Sequence, residues 1–153
     1  MHILNCTGCT SLTTISDQPL LSILRCKGCT SLVKIGKLPM LKYLCCRGCT
    51  NLTSVPVSSW FEQLHCADSG VMTIPHLEKL TVLNCNGCTN LTKIHVLPSV
   101  KVLSCNECTS LVDIPTLSNL SILFCTRCTR FTKVPEPGDF DFPKLKQVVV
   151  KDG

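Results

Sequence analysis

Leu21–Met40, LSILRCKGCTSLVKIGKLPM, and the stretch after it, Leu41–Trp60, LKYLCCRGCTNLTSVPVSSW, decide the fold. Laid one on the other, they match Leu21 to Leu41, Leu24 to Leu44, Cys26 to Cys46, Cys29 to Cys49, Leu32 to Leu52 and Ile35 to Val55. The same spacing recurs along all 153 residues. A self-similar period of about 20 residues marks a solenoid, in which each repeat buries its apolar side only against its neighbours. Each repeat is called a rung here, and its positions are counted from the residue equivalent to Leu21.

The rungs run 1–20, 21–40, 41–60, 61–79, 80–99, 100–119 and 120–144, with a terminal strand in 145–153, and together read as a single domain. Rung four is irregular. Leu64 and Cys66 hold register, but ADSGV replaces the second cysteine, Ser69 takes position nine, one residue is missing and Val71 slides in as the apolar plug. Such a defect weakens the interfaces on both sides, so rung four is the expected weak point. Rung seven runs into EPGDFDFP, an inserted loop read as a lid, before Leu145, Val148 and Val150 supply the last strand. Met1 opens rung one with no polar capping segment ahead of it, an end expected to be covered by a partner or a second copy.

With 44% hydrophobic residues and few aromatics, the core is expected to be aliphatic and thiol-rich. The net charge of +5 is spread without a basic block, which disfavours a dedicated nucleic-acid arm. No N-terminal stretch resembles a signal peptide and no apolar run reaches the length of a membrane span. No membrane partner and no cofactor are expected.

The pattern L-x-x-L-x-C-x-x-C-x-x-L, carried through essentially the whole chain, resembles the leucine-rich-repeat family. The resemblance implies an α/β-type solenoid by family, here mostly β and coil. It would be an arc with a parallel sheet of about eight short strands on the concave face and extended convex segments. Strands are implied near Ile3–Thr7, Ile23–Lys27, Tyr43–Arg47, Gln63–Ala67, Val82–Asn86, Val102–Asn106, Ile122–Thr126 and Gln147–Lys151. Alternation then sends positions four and six inward and positions three, five and seven outward. So short a repeat leaves no room for a return helix, and Pro39, Pro56, Pro75, Pro98, Pro115 and Pro135 suit an extended convex side. The wording C-x-G-C-T-x-L-x-x-I-P is also similar to repeat proteins of large DNA viruses of amoebae. Bacterial effectors use repeats of about this length, usually joined to an enzymatic domain.

Fourteen cysteines, twelve of them in six C-x-x-C pairs, invite a zinc reading or a disulfide framework. Within the resemblance, position six is an inward apolar site, and position nine holds an inward side chain that bonds the turn backbone. A free cysteine suits both, as a small buried hydrophobe with a weak donor. All pairs stack along one direction, whereas a zinc ribbon needs pairs that converge. Rungs about 4.8 Å apart with parallel side chains suit disulfides poorly. The expectation is buried, reduced thiols at every cysteine but Cys45, no metal, and a cytoplasmic or other reducing compartment, or a virion if the chain is viral. Gly8, Gly28, Gly48 and Gly87 mark a turn, the threonines at position ten are expected to bond along the stack, and Glu107 and Arg127 stand in for two glycines as a surface pair.

Outward position three reads Ile3, Ile23, Tyr43, Gln63, Val82, Val102, Ile122 and Gln147. This apolar column has two readings, strand propensity alone or a binding stripe. Beside it stand Arg25, Lys27, Lys42 and Arg47, with no acidic residue at the corresponding outward strand positions, which favours an acidic segment of a protein partner. Position five reads Asn5, Arg25, Cys45, His65, Asn84, Ser104, Phe124 and Val149. Cys45, His65 and Asn84 superficially match a thiol-protease set, but an open strand surface offers no oxyanion hole, so catalysis is not expected. Cys45 is either a bland exposed thiol or one activated by Arg25, Arg47 and His65. The reading is a non-enzymatic protein-interaction scaffold using the concave face. The alternatives are a structural or virion-associated protein assembling through its uncapped N-terminal end and, more distantly, a zinc-binding protein.

Overall fold

The computed structural model describes residues 1–150, and the implied strand end at Lys151 and the flanking charges Lys151 and Asp152 lie outside them. The described residues form twelve short strands and coil: β1 (His2–Asn5), β2 (Thr14–Ile15), β3 (Leu21–Arg25), β4 (Lys34–Ile35), β5 (Tyr43–Cys45), β6 (Gln63–His65), β7 (Thr73–Ile74), β8 (Val82–Asn84), β9 (Lys93–Ile94), β10 (Val102–Ser104), β11 (Ile122–Phe124) and β12 (Gln147–Val149). Eight of them build one parallel sheet in the order β1-β3-β5-β6-β8-β10-β11-β12, so each rung adds one strand beside the last. Leu4, Leu24, Leu44, Leu64, Leu83, Leu103, Leu123 and Val148 fall in one inward row. The fold is a solenoid, with position one, four, six, nine and twelve side chains forming its continuous core.

The strands stop at position five, two residues short of the implied ends, because a β-turn begins at position six. The Cys29 N–H donates to the Cys26 carbonyl at 3.2 Å, and Gly28 between them has φ 71°. A left-handed third turn residue favours glycine, and Gly8, Gly48 and Gly87 repeat it. Asp68, Glu107 and Arg127 adopt the same conformation without being glycine, at a cost of roughly 1–2 kcal/mol each. Hydrogen bonding between rungs continues past the strand ends: Cys26 N–H donates to Cys45 O at 2.9 Å and Gly28 N–H to Arg47 O at 2.7 Å.

On the return path the stack makes two further two-stranded sheets, β2 with β4 and β7 with β9, rather than a wholly unpaired side. Position sixteen explains why they are so small. Gly36 N–H donates to Ile15 O at 2.8 Å and His95 N–H to Ile74 O at 3.0 Å. Every other rung from the third to the seventh has proline there, at Pro56, Pro75, Pro115 and Pro135, with no N–H to give. Pairing therefore breaks wherever proline falls.

Rung four is packed as closely as its neighbours, despite the missing residue. Phe61, Leu64, Cys66, Val71 and Ile74 are fully buried. The shortened turn passes so close to rung three that a side chain at Gly70 would collide with the Thr50 carbonyl oxygen. Only glycine fits that approach. Ser69, buried where its neighbours have a thiol, lies 3.5 Å from the Cys88 sulfur.

Two expectations need correction. Cys9 is exposed and Cys6 only half-buried, while Cys26, Cys29, Cys46, Cys49, Cys66, Cys85, Cys88, Cys105, Cys108, Cys125 and Cys128 are buried. A position-nine thiol is covered by the rung before it, and in this structure no rung precedes Cys9. The position-ten threonines also make no side-chain hydrogen bond among the described residues, and all but Thr109 are exposed. They sit on the outside of the turn, beyond reach of the next rung's backbone.

Candidate functional site

The sheet has one face turned into the core, and its other face carries positions three and five. Register places Ile3, Ile23, Tyr43, Gln63, Val82, Val102, Ile122 and Gln147 in one column and Asn5, Arg25, Cys45, His65, Asn84, Ser104, Phe124 and Val149 in the next. Ile23, Tyr43, Val82, Val102 and Ile122 are half-buried by their neighbours, and Ile3 is exposed.

Rungs two to four bring most of the sequence-predicted residues together. The Arg25 guanidinium lies 5.6 Å from the centre of the Tyr43 ring, and that ring sits 5.4 Å from the His65 ring, tilted by 42°. Cation, phenol and imidazole thus form a diagonal run across three strands, a contact type that contributes about 0.5–1 kcal/mol at exposed sites. Cys45 is half-buried between Arg25 and His65 in the position-five column. Burial, reinforced by the Arg47 charge, holds the His65 imidazole below its usual range, so it is neutral at pH 7. Burial likewise pushes the Tyr43 hydroxyl up, with Cys45 adding to the shift.

Lys42 and Arg47 are partly countered by residues outside the strand positions. Lys42 Nζ lies 3.6 Å from Glu62, at position two of the next rung, and Arg47 lies 3.9 Å from Asp68, in its turn. Among the described residues Arg25 and Lys27 have no carboxylate within salt-bridge distance. Both are exposed. Glu107 and Arg127 do pair, at 3.2 Å, across neighbouring turns.

An open groove of about 450 Å³ adjoins the basic block, lined by Met1, Ser22, Ile23, Lys42, Tyr43, Glu62 and Gln63. Ile3 lies on the rung before it, whereas Val82, Val102, Ile122 and Phe124 lie on later rungs of the same face. Phe124 stands five strands from Arg25, about 24 Å at normal strand spacing, so it is not part of this cluster.

Sequence reasoning missed the flank just ahead of the strands. Position twenty holds Leu20, Met40 and Trp60 on the first three rungs, all exposed, and Lys79, Ser99 and Asn119 on the next three. Lys79 Nζ sits 3.7 Å from the centre of the Trp60 ring, with Lys42 Nζ at 5.9 Å. The signal was in the column itself, apolar early and polar late.

Among the described residues no three His, Cys, Asp or Glu side chains are grouped so as to hold a metal, and no helix is long and apolar enough to cross a membrane. The site belongs to a cysteine-rich solenoid with a one-sided, basic and apolar sheet face. Compared with known proteins, the chain matches no family model, no curated protein and no solved structure.

Proposed function

We propose that this chain is a non-enzymatic protein-recognition scaffold of the leucine-rich-repeat type, with the eight-stranded sheet lining the concave side of an arc. Its partner is an acidic protein segment, and the contact lies on rungs two to four. One observation carries this reading. Across outward positions three, five and seven, the permanently charged residues among those described are Arg25, Lys27 and Arg47, all in one block beside Tyr43 and the apolar groove. Later rungs carry Asn84, Asn86, Ser104, Asn106 and Thr126 at positions five and seven. These are partly consumed by one another: the Asn86 side-chain oxygen accepts from Ser104 Oγ at 2.7 Å and from Asn106 N–H at 2.9 Å.

Electrostatic complementarity of this kind sets specificity and on-rate more than raw affinity. The test is capture of the partner from the native source. Reversal of Arg25 and Arg47 to Glu is expected to weaken it by about tenfold or more, with strong salt dependence, and reversal of Lys93 far less. Capture indifferent to Arg25 and Arg47 removes the reading.

A further inference from the structure

The loop 136–143 presents one aromatic to solvent in a fixed way. Phe140 is 98% exposed, while Phe142, two residues on, is 6% exposed and packs into the core. The exposure is not fraying, because the loop is tied down on both sides of Phe140. Glu136 N–H donates to the Asp139 carboxylate at 3.0 Å, Asp139 N–H to Glu136 O at 3.1 Å and Phe142 N–H to Asp139 O at 3.0 Å. Thr116 Oγ1 donates to Asp141 at 3.1 Å, and Gly138 takes the left-handed turn with φ 96°.

The surroundings of Phe140 are acidic. Asp113, Asp139 and Asp141 border one depression and Glu136 precedes it, so four of the chain's ten Asp and Glu residues gather here. Lys133 answers only Asp139, at 3.3 Å. A phenyl ring flanked in the chain by Asp139 and Asp141 complements an apolar groove that has Ile23 and Tyr43 in its lining and Arg25 beside it, stacked on Tyr43. The two lie about five rungs apart, on the order of 24 Å, too far for the loop to reach its own groove.

We infer that the occupant of the groove is the Phe140 loop of a second copy of this chain. Phe140 packs onto Ile23 and Tyr43, and Glu136 and Asp141 meet Arg25 and Lys27. This rests on the reading of the basic block as a recognition surface and names what it recognises. Two antiparallel copies can exchange loops reciprocally, each giving and receiving once, which closes a two-fold dimer.

Two variants and their mixture test it by sedimentation equilibrium. Phe140→Ser keeps the groove and loses the plug, and Arg25→Glu with Lys27→Glu keeps the plug and loses the block. All three side chains are exposed, so both variants are expected to fold. The wild type is expected to self-associate, each variant alone to dissociate at least about tenfold more readily, and their equimolar mixture to regain a one-to-one complex through the one contact left whole. A wild type that stays monomeric at its highest soluble concentration overturns the inference, as does association indifferent to Phe140→Ser. If self-association fails yet Arg25→Glu still weakens capture of another acidic protein, the broader reading stands. If neither effect is seen, both fall.

Discussion

The sulfur of Cys29 lies 3.0 Å from the carbonyl oxygen of Cys6, one rung back, and donates its thiol proton to it. The same contact recurs at 3.0 Å from Cys49 to Cys26, Cys88 to Cys66, Cys108 to Cys85 and Cys128 to Cys105. Each of these carbonyls also accepts the N–H that closes its own turn, as Cys9 N–H does at Cys6 O. One oxygen therefore ties a turn to the rung that follows it. The C-x-x-C spacing has a local origin: the first cysteine ends the strand facing inward, and the second closes the turn and reaches backward.

Loss of such a thiol should be felt according to its place in the stack. Cys108→Ala is expected to cost about 1–2 kcal/mol, combining a small cavity with an unsatisfied carbonyl lone pair. Cys9→Ala, at an exposed thiol that donates to no carbonyl among the described residues, should stay within about 0.5 kcal/mol. Urea unfolding of the two variants beside the wild type measures the difference.

Alkaline pH should weaken the stack. Burial holds the Cys46 thiol well above its ordinary range and pushes the Cys125 thiol up to about 11. A folded-state pKa above the unfolded one gives stability that is intact below the unfolded value and lost as pH rises past it. The urea midpoint should thus be level to about pH 8 and fall between about pH 8.5 and 10.5, each thiol adding up to about 1.4 kcal/mol per pH unit. A midpoint unchanged across that window contradicts it.

Gly70→Ala should destabilise by about 1–3 kcal/mol, since its methyl group has to displace the Thr50 carbonyl or move rung four as a whole. Gly8→Ala meets no atom within 4 Å and carries only the strain of φ 77°, about 1 kcal/mol. Equal costs at the two sites would mean rung four relaxes more readily than its contacts imply.

Pro56→Ala restores an N–H at position sixteen, opposite the Ile35 carbonyl. The expected outcome is a third strand on the β2–β4 sheet, read as a slowly exchanging amide at residue 56, with stability changed by less than about 1 kcal/mol. The new hydrogen bond is offset by the greater freedom of the unfolded chain.

Much of the architecture was legible because a solenoid repeats one local decision. The spacing of Leu24, Cys26 and Cys29 sets the inward phase of a rung, and stacking copies it, so one phase places the whole sheet and its register. The face columns through Ile23 and Arg25 followed from alternation alone. Contacts between rungs were less legible, because they depend on where a side chain ends rather than where it starts. Glu62 and Asp68 lie outside the strand positions, yet Lys42 and Arg47 reach them. Proline lacks an N–H whatever its surroundings, but only the return path shows which carbonyl misses it, and hence why the second sheet is broken. Phe140 and Phe142 are equivalent as letters, and the hydrogen bonds around Asp139 send one inward and the other to solvent. The sequence by itself determined the period, the buried phase and the parallel stack, because these are properties of a single rung repeated. Only the tertiary structure decided where strands end, which charges are paired and which aromatic is left bare, because each depends on distances across rungs that spacing along the chain does not specify.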